Sequence, residues 1–227
     1  MKHDFARIGS RPGRAIGLVI FLLVAAWAEM TVQAAPPGWD AALAAVKRGL
    51  RRGTPEQMAA GLEPLRGQDH AQAVTFIFDL VRSERTHPLV ARRAAAIIAG
   101  YHSDSARKYV TDYVKEHPFP DIFVLEAIGG MAVPGLEPFF VRIINERTKR
   151  QAEVALAVRA LGQYPPPQPE SVLKAVVGQL HQSCYHAVRR NAAEALGGIG
   201  DRAIIPILIE GLADRLVGEQ CEDSLRR

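Results

Sequence analysis

Residues Val188–Leu212 read VRRNAAEALGGIGDRAIIPILIEGL, two short segments of helical apolar spacing joined at Gly200-Asp201. Each segment is amphipathic and too short to stand alone as a helix in water. One such pair cannot bury both of its faces, so its apolar stripes require neighbours of the same kind.

The neighbours are present. Setting Ala195-Leu196-Gly197 against Ala127-Ile128-Gly129 aligns Ile199 with Met131, Pro206 with Pro138, Ile207 with Phe139, Leu208 with Phe140 and Leu212 with Ile144, without a gap. A third copy lies between them, Ala160-Leu161-Gly162 ending its first helix and Val172 to Leu180 forming its second, with the turn Gln163 to Pro169 between. A fourth, Val90 to Val114, carries Arg92-Arg93-Ala94-Ala95-Ala96 where the last has Arg189-Arg190-Asn191-Ala192-Ala193, and Asp104 where the last has Asp201. Equivalent positions Ala99, Ile128, Leu161 and Leu196 are 29, 33 and 35 residues apart. A two-helix unit repeated at this period is the signature of an α-solenoid.

The valine-arginine-arginine opening at Val188, the AEALG helix end at Ala193–Gly197, the Gly-Asp turn and the apolar second helix around Ile204 to Leu212 resemble a HEAT repeat of the short, PBS-lyase-like type. The likeness covers residues 184 to 214 most fully, 88 to 183 in part, and 39 to 84 by helical pattern alone. It implies an all-α, right-handed α-solenoid of about five helix-turn-helix repeats, used as a binding scaffold. It carries no activity with it. Di-iron hydroxylases built of such repeats hold iron with His-Glu dipeptides, and this chain has none.

Composition agrees. Apolar residues make up 48% of the chain and aromatics 7%, with many alanines, a balance suited to close-packed helices. No alternating strand bounded by hairpin turns follows residue 40. The pattern predicts helices over 39–51, 55–66, 69–84, 88–100, 104–116, 120–130, 134–146, 148–162, 169–181, 185–197 and 201–214. Thr54-Pro55-Glu56-Gln57 is a helix start with cap, first-turn proline and a reaching glutamine. Asp104 and Asp201 are expected to cap second helices, and Pro138 and Pro206 to sit one turn inside them. Gly100, Gly129-Gly130, Gly162 and Gly197-Gly198 are expected to supply left-handed caps.

The amino terminus is a separate object. Lys2, Arg7, Arg11 and Arg14 precede an apolar run from Ala15 to Ala28, and Val32-Gln33-Ala34 has the small-residue pattern of a signal-peptidase site. The run is short against the roughly 20 residues a membrane span needs. Residues 1–34 are therefore read as a cleaved signal peptide, directing the chain to the periplasm or outside a bacterial cell; an uncleaved anchor is the alternative. Residues 35–87 follow as an amino-terminal helical cap and degenerate repeat, 88–214 as the repeats, and 215–227 as a carboxy-terminal cap or tail. The whole chain carries a net charge of +4; without the leader's four basic and two acidic residues, 24 cations face 22 anions, a net of +2. Such a balance gives no reason to propose nucleic acid as a partner.

Few residues invite chemistry. Arg92, Arg93, Arg189 and Arg190 open first helices, and the resemblance implies that they pair with turn aspartates, Asp104 and Asp201. His181, Cys184 and His186 have metal-ligand side chains but no standard zinc spacing, so a metal-dependent or enzyme-accessory role is the alternative to a non-enzymatic scaffold. Cys184 and Cys221 are the two cysteines, and an even count in an exported chain suggests a disulfide pinning the last repeat, with two free thiols as the alternative. No nucleophile elbow, phosphate loop or paired carboxylate is found, so no catalytic residue, cofactor or metal is assigned. If second helices line a groove, the columns of Pro206 and Glu210 bring forward Tyr109, Tyr113, Arg142 and Lys174. With Glu210 these form a candidate surface for an acidic peptide or loop of another protein; core packing of the tyrosines is the competing reading.

Overall fold

The computed structural model describes residues 36–51, 53–147 and 150–227, and the leader assigned to residues 1–34 lies outside them. In chain order the helices are α1 (Trp39–Arg51), α2 (Pro55–Ala60), α3 (Ala71–Arg82), α4 (Pro88–Ile98), α5 (Asp104–Glu116) and α6 (Ile122–Met131). They continue with α7 (Glu137–Glu146), α8 (Gln151–Leu161), α9 (Glu170–Gln182), α10 (His186–Ile199), α11 (Ile205–Gly211) and α12 (Gly218–Arg226). Short 3-10 turns at Glu63–Leu65 and Arg202–Ile204 precede α3 and α11, and no strand occurs among the described residues. No described helix is long and apolar enough to cross a membrane.

First helices form one layer. In it α2, α4, α6, α8, α10 and α12 pack each on the next. Second helices lie beside them, with α3 on α5 and α7 on α9, while α3, α7, α9 and α11 also pack against the first helices α4, α8, α10 and α12 that follow them. The fold is an all-α solenoid. Its core runs between the layers through Phe78, Ile98, Ile128, Phe140, Leu161 and Leu196, all fully buried. Each such side chain contributes roughly 1.5–3 kcal/mol relative to exposure.

Ile98, one residue before Ala99, fills the buried column with Ile128, Leu161 and Leu196. Ala99 instead lies in the seam where neighbouring first helices touch, a position that Gly129, Gly162 and Gly197 hold in later repeats. A Cβ at Gly130 would lie 2.5 Å from that of Ala99, one at Gly129 2.9 Å from that of Ala160, and one at Gly162 2.5 Å from the Ala195 Cα. The left-handed caps expected of these glycines are therefore a misreading. Positive φ occurs at Gly200 (66°) and Gly135 (89°), while Gly162 ends α8 in right-handed geometry. What the seam glycines supply is close approach.

Other local expectations divide. Thr54 makes the capping box, its amide donating to Gln57 Oε1 at 3.0 Å and its hydroxyl oxygen accepting from the Gln57 amide at 3.4 Å. The helix expected over 55–66 stops at Ala60, because Gly61 caps it and Pro64 lacks the amide needed to continue. Pro138 and Pro206 occupy the first turns of α7 and α11, not a position one turn inside, so neither has to bend its helix. Asp201 accepts the Ala203 amide at 2.9 Å, but the cap of α5 is Ser103 rather than Asp104. Ser103 is itself fixed from the preceding repeat. Asp69 accepts the amides of His102 and Ser103 at 2.5 and 2.7 Å and the Ser103 hydroxyl at 2.5 Å.

Candidate functional site

The second helices present the five residues expected to form a binding surface, and the structure separates them. Tyr113 of α5 is buried, 5.6 Å from the Phe78 ring and stacked on His117 at 4.2 Å. Tyr109 lies half-buried on the other part of Phe78 at 4.9 Å. Burial pushes both phenols up from their ordinary pKa. Both tyrosines thus belong to the α3–α5 packing seam, the competing reading of the sequence, Tyr113 buried in it and Tyr109 at its half-buried edge. Lys174 and Glu210 are exposed and enter none of the ion pairs found among the described residues.

Arg142 is different. Its guanidinium lies 5.8 Å from the rings of both Phe119 and Phe139, and its Nε is buried with no hydrogen-bond acceptor. Arg147, one turn on, stacks over Phe119 at 4.0 Å and faces Glu153 at 3.7 Å; Glu153 also accepts from Arg150 at 2.9 Å. The Nε of Arg147 is likewise buried without a hydrogen bond, but Glu153 faces its charge, whereas Arg142 enters no ion pair among the described residues. Phe119, 37% exposed between the two guanidiniums, comes from the turn that joins α5 to α6. Cation–π contact is worth about 0.5–2 kcal/mol and leaves the hydrogen-bonding edge of a guanidinium unused. A carboxylate arriving beside Phe119 would satisfy it. Sequence reading identified Arg142 by its column but passed over Phe119, which lies in the turn His117-Pro118-Phe119-Pro120, and Arg147, which caps the end of α7.

The outer charges are paired, though not as expected. Glu126 of α6 lies between Arg92 of α4 at 3.8 Å and Arg159 of α8 at 3.4 Å, and Arg93 pairs with Glu63. Arg189 pairs with Asp214 and donates to the Leu180 carbonyl at 2.7 Å. Arg190 is exposed. Asp104 and Asp201 are thus not the acceptors; the arginines reach carboxylates that the repeat comparison did not single out. A shallow cleft between α6 and α8 is floored by Gly129 and Gly130 and rimmed by the Glu126–Arg159 pair, two charges that already answer each other.

His181, Cys184 and His186 are exposed and do not converge. His186 Nε2 lies 2.5 Å from the Leu216 carbonyl, and among the described residues no group of three or more histidine, cysteine, aspartate or glutamate side chains is placed to hold a metal. The expected bridge between Cys184 and Cys221 is not formed: Cys184 is exposed, whereas Cys221 is buried with its sulfur against Gly211. That sulfur fills the contact between α11 and α12 and points away from solvent.

Comparison with curated proteins and with solved structures returns no match. A family model described as HEAT repeats matches residues 137–226, from the start of α7 to the end of α12. The same two-layer stacking continues upstream through α3 to α6, so the segment that matches HEAT repeats is the carboxy-terminal part of one all-α solenoid.

Proposed function

We propose that this protein is a non-enzymatic scaffold, exported to the periplasm or beyond through a cleaved leader at residues 1–34, and that it engages another protein through its second-helix face. HEAT repeats serve generally as protein-interaction scaffolds. The observation that carries the finer reading is Arg142, a half-buried guanidinium between two rings with its Nε unsatisfied and no ion pair among the described residues. The partner segment that suits it has an aspartate or glutamate beside an apolar residue able to cover Phe119.

The test is site-specific photocrosslinking in the producing bacterium, with a photoreactive phenylalanine analogue at Phe119 and a control at exposed Glu194. An adduct with another protein at Phe119, lost on Arg142→Glu and absent from the control, is the expected result. Adducts indifferent to Arg142→Glu would remove this face as the docking site. Fractionation of the same cells locates the protein, and retention of residues 1–34 on membranes would replace the soluble scaffold with an anchored one.

A further inference from the structure

α1 is a helix of 13 residues in which Trp39 and Val46 are the buried ones. An element with so few buried side chains opens at low free energy, and each contact it makes weighs heavily. The helix packs on α2 and on the 3-10 turn Glu63–Leu65, with Gly49 so close to α2 that a Cβ there would stand 3.0 Å from the Gly61 Cα. Towards α3 it reaches with one side chain. The Trp39 indole, 5% exposed, meets the His70 imidazole edge-to-face with 4.7 Å between ring centroids, and the Phe76 ring lies 6.5 Å away.

His70 stands at the N-cap of α3, yet its side chain caps nothing, and its Nε2 is buried without a hydrogen-bond partner. A neutral imidazole can leave Nε2 unprotonated, whereas the charged form places an N–H there that needs an acceptor. The free amides at the start of α3 oppose a cation at the same place. Charged or titratable groups on the neighbouring elements are Asp40 of α1, Glu63 and Arg66 at the 3-10 turn, Asp69 before α3 and His102 after α4. Asp69 is the one that acts on the imidazole, and its carboxylate already accepts from the His102 and Ser103 amides and the Ser103 hydroxyl. Burial outweighs Asp69 and holds His70 below its ordinary pKa. We propose that the Trp39–His70 contact is a pH-sensitive latch, which keeps α1 on α2 and α3 while His70 is neutral and lets the helix open when His70 takes up a proton. The latch contributes fully above about pH 6.5, and its contribution is lost as pH falls through the folded value. Opening bares the indole and the side of α2 that α1 covers.

Hydrogen–deuterium exchange of the purified full chain, followed by mass spectrometry at about pH 7.5 and about pH 5.5 and corrected for the pH dependence of free-peptide exchange, tests it. Protection of residues 39–51 should fall by roughly three- to tenfold on acidification. His70→Phe keeps a ring against Trp39 and has no nitrogen to titrate, so α1 should stay protected at both pH values. His70→Gln should remove the pH dependence whatever its starting protection, and Trp39→Ala should open α1 at both. Protection of α1 that does not change with pH would overturn the proposal. So would protection that rises in acid, which would mean that the charged imidazole binds the indole face. A fall of wild-type size in both His70→Phe and His70→Gln, or Trp39→Ala with α1 as protected as in the wild type, would overturn it as well. None of these outcomes depends on crosslinking at Phe119, so the latch and the scaffold reading fail separately.

Discussion

Arg189 and Asp214 are joined across the last repeat. The same guanidinium donates through Nε to the Leu180 carbonyl at 2.7 Å, while Asp214 also accepts the Leu216 amide at 2.8 Å. One side chain therefore ties the end of α9, the start of α10 and the turn between α11 and α12. Arg189 is only 18% exposed, so its hydrogen bonds are worth more than those of a surface pair. Arg189→Met keeps the aliphatic stem and removes the donors, and should lower unfolding free energy by about 2 kcal/mol. Exposed Arg190→Met should stay within about 0.5 kcal/mol of wild type. Denaturant titration decides it, and equal losses from the two variants would mean that the linkage is not structural.

Acid should weaken the solenoid at both its first and its last repeats. The Leu216 amide, and then Arg189, hold the Asp214 carboxyl below its ordinary value of 3.8, and Arg66 with Arg93 holds Glu63 below 4.5. A carboxyl lowered on folding contributes stability that is fully present above its unfolded pKa and is lost as pH falls through the folded one. The melting temperature should slip below about pH 6.5, where burial holds the His70 imidazole below its ordinary value, and fall more steeply below about pH 4. Asp214→Asn should melt lower at neutral pH and lose less on acidification. A variant with the wild-type acid slope would place the titration elsewhere.

The fold was legible because its evidence is periodic: Ile128, Leu161 and Leu196 share a column, and a column can be counted. The candidate site was legible only where it used that period. Arg142 was found by its register with Glu210, but Phe119 lies in a turn and Arg147 at the C-cap of α7, where helical spacing carries no phase. The tyrosines were left between groove and core for a related reason. Tyr109 and Tyr113 do occupy the register of the exposed stripe, yet Phe78 of α3 draws both rings into packing, and only tertiary structure reveals that neighbour. Arginine partners failed similarly, since Glu63, Glu126 and Asp214 sit at different places in their repeats.

The glycines separate two physical roles that sequence alone runs together. Gly162→Ala would place its Cβ 2.5 Å from the Ala195 Cα, a backbone contact that cannot swing aside, and should cost about 1–3 kcal/mol. Gly178 lies within α9 with nothing within 4 Å of an added Cβ, so Gly178→Ala gains helix propensity and should stabilise by up to about 1 kcal/mol. Thermal melts of the two variants should move in opposite directions. Shifts of the same sign would remove the seam as the reason for glycine at position 162.

The two thiols should differ in reactivity by their surroundings. Cys184 is exposed, while Cys221 is buried against Gly211, and that burial, with Asp214 nearby, raises its thiol pKa and disfavours the reactive thiolate. Mass-resolved alkylation of unreduced native protein should therefore add one label quickly, and a second only after denaturation. Cys184→Ser should leave the melt unchanged, whereas Cys221→Ser buries a hydroxyl in an apolar contact and should destabilise by about 1–3 kcal/mol. No label on the denatured, unreduced protein would mean that the two cysteines are bridged after all. That bridge would require α12 to lift Cys221 out of the α11 contact, and Cys221→Ser would then also release Cys184 for labelling.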